Sequence, residues 1–239
     1  MKKIRVLLIV FTITSILVSC KFVGNCQIKG KGPIVEKKIN VSNFHSIKSN
    51  GDFDVVLKQG ENFEVVVKSH ENIIELLDTQ VVEGVWNIKL NENVYFDGDI
   101  TIYITMPTLK MVKINGSGDV KAGVFNNLND LELVINGSGN IIFDSIIAQN
   151  LSSEINGSGD IQLSGNVPNQ TISIAGSGEY NSEKCESKDV NVKIAGSGDV
   201  KVTATENLNV KIAGSGDVYY KGKPQTNFKV SGSGEVIAM

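Results

Sequence analysis

The stretch Ile114-Asn115-Gly116-Ser117-Gly118-Asp119-Val120 decides the fold, because close copies of it follow six more times. Gly-Ser-Gly runs begin at Gly116, Gly137, Gly157, Gly176, Gly196, Gly214 and Gly232, at successive spacings of 21, 20, 19, 20, 18 and 18 residues. Self-similarity near a 20-residue period marks a solenoid, in which each unit buries its apolar side only by stacking on its neighbours. Two positions before each run stand Ile114, Ile135, Ile155, Ile174, Ile194, Ile212 and Val230, all β-branched. Four before stand Val112, Leu133, Ser153, Ile172, Val192, Val210 and Phe228. Four after stand Val120, Ile141, Ile161, Tyr180, Val200, Val218 and Val236. One strand therefore enters the glycines and another leaves them, with these columns pointing inward. Stacked in parallel at about 4.8 Å per rung, the columns become ladders that fill a core without helices. The expected fold is all-β, a parallel β-solenoid whose rungs are 18–21 residues long. The corners fall to Gly116, Gly137, Gly157, Gly176, Gly196, Gly214 and Gly232, and to Gly118, Gly139, Gly159, Gly178, Gly198, Gly216 and Gly234, where a tight turn favours positive φ.

Working outward, the runs at 34–41, 44–47, 53–57, 63–67, 85–90, 100–105 and 109–114 alternate apolar and polar residues between Gly, Asn and Asp, as half-buried strands do. A helix of up to two turns is predicted over 71–77, where Ile73, Ile74 and Leu77 share a face. One domain is expected over 34–239, with the glycine-corner repeats at 109–239. Residues 20–33 have no period of either kind and read as a tether.

At the start, Lys2, Lys3 and Arg5 precede an apolar run over 6–18, followed by Leu17-Val18-Ser19-Cys20. A charged start, a short apolar centre and a small residue before the cut define an export signal over 1–19. The last four residues resemble a lipobox, which makes Cys20 the lipid anchor and places the mature chain on the cell envelope. The outer membrane is the expected location, with the leaflet left open. Removing 1–19 takes away three positive charges and no negative one, which moves the net charge from −3 to −6 and removes the only arginine. An acidic chain without arginine lacks the basic face that nucleic-acid binding needs. Cys26 in the tether and Cys185 in a loop between repeats are free to pair, but nothing requires it.

The repeated Asn-Gly-Ser-Gly-Asp and Ala-Gly-Ser-Gly-Asp carry a resemblance in combination with the lead-in. There, Phe44-His45-Ser46-Ile47, Ser49-Asn50-Gly51-Asp52-Phe53-Asp54-Val55 and Met106-Pro107-Thr108-Leu109 stand in order. Together they resemble the bacterial head GIN domain family, whose auto-transporter adhesin label is itself an analogy to surface β-helices. The resemblance spans about 34–239 and implies an exported β-solenoid typical of Bacteroidota lipoproteins, with no established activity.

Chemistry could sit on one column. Three positions after each first glycine stand Asp119, Asn140, Asp160, Glu179, Asp199, Asp217 and Glu235. The plain reading is that these side chains hydrogen-bond the turn backbone and keep the corner soluble. The sharper reading takes the six carboxylates as weak Ca²⁺ sites, since hard oxygen ligands in register suit that ion. Against it, the Ca²⁺-binding solenoid repeat has a nine-residue period, and Lys113, Lys121, Lys193, Lys201 and Lys211 lie near enough in sequence to neutralise part of the column.

Enzymatic readings find little. The mature chain has only His45 and His70, and it holds no nucleophile elbow, metal-ligand cluster or Walker loop. The catalytic alternative is a pectinase- or lyase-like enzyme on a β-helix, yet stacked identical carboxylates lack the opposed acid and base environments that hydrolysis uses. A third alternative, an accessory to envelope sensing, rests on no residue. Non-catalytic, adhesin-like binding or scaffolding is the expectation, with a glycan or envelope protein as partner. Trp86, Tyr95, Phe96 and Tyr219 are aromatic candidates for stacking on that partner or for covering core edges. The rung over 230–239 carries no cap, and an open edge of this kind invites self-association.

Overall fold

The structure, a computed structural model, describes residues 26–91, 94–96 and 98–239. The signal segment and Cys20 therefore lie outside the described residues. The lead-in runs β1 (Cys26–Gln27), β2 (Ile34–Ile39), β3 (Ser46–Asn50), β4 (Phe53–Gln59), β5 (Glu64–His70), α1 (Glu71–Ile74), β6 (Val81–Val82), β7 (Val85–Ile88), β8 (Val94–Tyr95) and β9 (Ile100–Met106). The repeats supply β10 (Met111–Gly116), β11 (Val120–Gly137), β12 (Ile141–Gly157), β13 (Ile161–Asn166), β14 (Asn169–Gly176), β15 (Tyr180–Gly196), β16 (Val200–Gly214), β17 (Val218–Lys221), β18 (Gln225–Gly232) and β19 (Val236–Ala238). They coil into a parallel β-solenoid of about six turns.

The register follows the repeat. Gly116 pairs with Gly137, Gly137 with Gly157, and so on through Gly176, Gly196, Gly214 and Gly232. The inward columns are buried as their β-branched side chains suggest: Ile114 to Ile212 and Val120 to Val218 are at most 1% exposed. Phe228 and Val230 depart from this at 39% and 43%, because no described rung stacks on their far side. Phe125 and Phe143 meet edge-on at 5.9 Å, so aromatic contacts also form along the stacking direction.

The corner glycines serve two distinct needs. At Gly157, φ is 141° and an added Cβ would lie 2.1 Å from the Gly137 carbonyl oxygen of the rung before. At Gly159 the backbone is not left-handed, yet a Cβ would lie equally close to the Gly139 oxygen. The first glycine thus answers to conformation and space, the second to space alone, whereas the sequence suggested positive φ for both. The corner is held by regular bonds: Ser158 N–H donates back to Gly137 O at 3.0 Å, while Ile141 N–H donates forward to Asp160 O at 2.9 Å.

The corner starts one turn earlier than the repeat. Strand β3 pairs with β10 and β4 with β11, so Asn50-Gly51-Asp52-Phe53-Asp54 forms the first corner without a Gly-Ser-Gly. This lead-in turn itself stacks in parallel on β7 and β9, and antiparallel strands, β5 on β9 and β2 on β5, extend that outer layer. Helix α1 is one turn long, shorter than the predicted 71–77, although Ile73, Ile74 and Leu77 are all buried. Within the expected tether, β1 pairs with β8. The side chain of Asn72 then clasps the chain at 29–31, accepting from Lys31 N–H at 2.8 Å and donating to Lys29 O at 3.1 Å. Cys185 lies inside β15, fully buried, and not in a loop; burial pushes its thiol up to about 12. A pairing with Cys26 involves a side chain outside those described.

Candidate functional site

The acidic column is real, and the side chain of every member but Glu235 has a structural partner. The Asp119 carboxylate accepts from Asn140 N–H at 3.0 Å and from its side-chain amide at 2.9 Å. Asp160 Oδ1 accepts from Glu179 N–H at 2.7 Å, Asp199 from Asp217 N–H at 2.8 Å, and Asp217 from Glu235 N–H at 2.8 Å. Asp54 heads the column by accepting from Asp119 N–H at 3.3 Å. A short side chain one rung below thus satisfies the corner N–H one rung above, which an Asp or Asn can reach. Glu179, longer by one methylene, instead pairs with Lys201 at 2.8 Å. Carboxylates about 5 Å apart repel by roughly 1 kcal/mol in water, and charge-assisted bonds to N–H groups offset a cost of that size. Among the described residues, no three His, Cys, Asp or Glu side chains converge on one point. Of the lysines expected to neutralise this column, Lys201 does so; Lys121 makes no ion pair among the described residues, and Lys113, Lys193 and Lys211 lie on the outer face of the strand that enters the corner, away from it.

Other sequence candidates resolve into structure as well. Trp86 is fully buried, and its indole N–H donates to Asp78 O at 2.9 Å. Phe96 meets His70 edge-on at 6.1 Å, and the His70 ring donates to Gly32 O at 2.8 Å. His45 bonds the hydroxyl of Ser46 at 2.9 Å. Tyr219 O–H donates to Asp217 at 3.3 Å, and that carboxylate raises the phenol pKa. Tyr95 has no described side chain.

Three features escaped sequence reasoning. An amide ladder runs up the corner: Asn115 donates to Asn50, Asn136 to Asn115 and Asn156 to Asn136, at 2.8–2.9 Å. It stops where Ala175, Ala195 and Ala213 take the same position. The switch from Asn-Gly-Ser-Gly to Ala-Gly-Ser-Gly was its signal. The second is a buried polar knot, in which Gln170 accepts from Tyr180 O–H at 2.6 Å and from Ser182 at 3.2 Å, and donates to Ser187 at 2.6 Å. Gln170 sits in a column of Leu131, Leu151, Val190 and Leu208, and burial raises the Tyr180 pKa.

The third is a shallow groove on the outer face of the strands that enter the corner. About 380 Å³ in volume, it runs between two lanes in strict register: Asn191, Asn209 and Asn227 on one side, Lys193, Lys211 and Lys229 on the other. All six side chains are exposed. At Thr171 it meets a second hollow of about 540 Å³ lined by Lys110, Asp130, Glu132 and Asn150. Among the described residues, no helix is long and apolar enough to cross a membrane.

Comparison with known proteins agrees with this architecture. A structure described as "Putative lipid binding protein" from Parabacteroides distasonis ATCC 8503 is 27% identical, covers 89% of this chain and 99% of its own, and superposes with a TM-score of 0.76. A "putative adhesin" from Parabacteroides merdae ATCC 43184 is 26% identical over 89% and 99% of the two chains, with a TM-score of 0.71. Another, from Bacteroides fragilis NCTC 9343, shares the fold at 22% identity and a TM-score of 0.83, covering 89% of this chain and all of that one. No curated protein matches the sequence. Residues 43–224, from the first glycine corner's lead-in to the sixth repeat, match the family described as "Putative auto-transporter adhesin, head GIN domain", and the chain belongs to that family.

Proposed function

We propose that this protein is a non-catalytic, adhesin-like binding module of the cell envelope, exported by its first 19 residues and held to the outer membrane by lipid on Cys20. The observation that carries the reading is the division of polar groups. The carboxylates and amides of the glycine corner are bonded to the next rung and serve as structure. The outer sheet face, by contrast, carries a long groove with exposed side chains. A rigid solenoid of this kind offers an extended surface and no opposed acid and base pair. The adhesin names of the family and of its solved relatives support the same reading.

The mature protein screened on a glycan array, with release of reducing ends followed on the same sugars, tests it. Binding without product is expected. Product formed at a rate above the buffer control would move the protein to the carbohydrate-active enzymes. Metabolic labelling with a palmitate analogue tests the anchor: label is expected on the native chain and absent from Cys20→Ala.

A further inference from the structure

We propose that Lys193, Lys211 and Lys229, with the asparagine lane beside them, form a docking groove for an extended acidic polysaccharide lying along the solenoid axis. This deepens the binding reading above and rests on it.

The lysine lane is set apart by its register, since most of the described lysines lack an ion pair. Lys37, Lys38, Lys89, Lys188, Lys201 and Lys221 each pair with a carboxylate, whereas Lys193, Lys211 and Lys229 have none within ion-pair distance among the described residues. Yet they stand directly above one another on successive rungs, where like charges repel, in a protein that is acidic as a whole. The acidic groups on the same face are turned to other partners or lie further along it. Asp189 accepts from the Asn207 side chain, and Glu154 occupies the lysine lane two rungs earlier, with Ser173 between. On the corner side, Ala175, Ala195 and Ala213 replace the asparagines of the earlier rungs and leave the lysines with no tall neighbour.

The geometry selects the ligand class. Cations repeat in one dimension at the rung spacing, about 4.8 Å, which is close to the repeat of an extended sugar chain. A small anion could draw in neighbouring lysines but would not span the lane or engage the asparagines beside it. An anionic bilayer would meet the surrounding carboxylates as well as the lane. A nucleic acid would find neither arginine nor an aromatic platform here. Beside the lysines, Asn209 donates to Asn191 at 3.0 Å, and the amide groups this bond leaves over, with those of Asn227, provide donors and acceptors for sugar hydroxyls; Thr171 and Ser173 continue both lanes with hydroxyl groups. Each contact is weak, and a polymer engaging several rungs at once adds them.

The test is binding of the mature chain to polygalacturonate, hyaluronate and heparin, with fully methyl-esterified pectin, phosphatidylglycerol vesicles and single-stranded DNA as comparisons. At least one acidic glycan is expected to bind, and the esterified polymer not to. Raising salt from about 0.01 M to about 1 M, which shortens the screening length from about 30 Å to about 3 Å, should abolish binding. The exposed triple variant Lys193→Gln/Lys211→Gln/Lys229→Gln should keep the wild-type melting temperature and lose affinity by about tenfold or more. Three results overturn the proposal: no acidic glycan binds, the triple variant binds as wild type does, or vesicles or DNA bind more tightly than every glycan. The general binding reading survives any of these if a neutral sugar or an envelope protein is captured without product. It fails only if the array also yields none.

Discussion

The two halves of the solenoid share one glycine corner and differ at the residues beside it. In the earlier turns Asn115, Asn136 and Asn156 link rung to rung through their amides, and the outer lane carries Lys113, Val134 and Glu154. In the later turns the corner has alanine and the lane has lysine. The same backbone is thus stapled at the corner in one half; in the other the corner is bare, a staple sits on the outer face, where Asn209 donates to Asn191 at 3.0 Å, and the lane beside it is cationic. Inward columns make the fold, and the outward lanes are free to divide the surface between cohesion and recognition.

The largest effect expected comes from breaking what both halves share. Gly157→Val places a Cβ 2.1 Å from the Gly137 oxygen at φ 141° and should cost at least about 3 kcal/mol, read as loss of the cooperative thermal transition. Gly123→Ala is the control. There a Cβ would find only the Leu57 oxygen, at 3.8 Å, and stability should stay within about 0.5 kcal/mol. Next comes the knot in the later half. Gln170→Leu strands the Tyr180 hydroxyl and should cost about 1–3 kcal/mol, most of it recovered by adding Tyr180→Phe. A double-mutant cycle in urea measures this, and additive losses would show that the two side chains do not act together.

The comparison itself is sharpened by exchanging corner residues. Asn136→Ala removes one ladder bond to Asn115 and one from Asn156 and should cost about 0.5–1.5 kcal/mol by denaturant midpoint. Ala195→Asn has no amide neighbour above or below, and a change within about 0.5 kcal/mol is expected. Equal effects at the two sites would mean that the amide ladder contributes nothing. The smallest effect is the surface pair of Glu183 and Lys221. The lysine, by its hydrogen bond and its charge, lowers the glutamate pKa. A carboxylate with a depressed folded pKa stabilises the fold above its unfolded pKa, and that contribution disappears as pH falls through the folded value. Lys221→Gln should therefore differ from wild type at neutral pH and coincide with it once the medium is acidic enough to protonate Glu183.

Much of this fold was legible because one local event, the corner, recurs in nearly the same letters. Columns such as Ile114 to Ile212 needed no tertiary information, since an alternating strand on each side of a fixed turn has only one apolar face. The first turn was harder to see. Its corner reads Gly51-Asp52-Phe53, and Phe53 stands where every later rung has a glycine, so the period begins at Gly116 although the corners begin at Gly51. The buried Gln170 and the strand position of Cys185 were hidden for a different reason. Their burial depends on which rungs stack, and a glutamine in a leucine column looks like an ordinary polar residue. The acidic column was visible as a pattern, but its partners are backbone N–H groups on the next rung, which composition does not reveal. The lysine lane was visible only as charges near the acidic corner; the register put them on another face.

The asparagine side chains report on both halves at once, which makes one spectrum decisive. In a ¹⁵N-labelled sample titrated with polygalacturonate oligomers, the Asn191, Asn209 and Asn227 side-chain amides should shift, while those of Asn115, Asn136 and Asn156 stay in place. Shifts confined to the corner amides, or spread evenly over the two halves, would contradict a division between a cohesive half and a binding half.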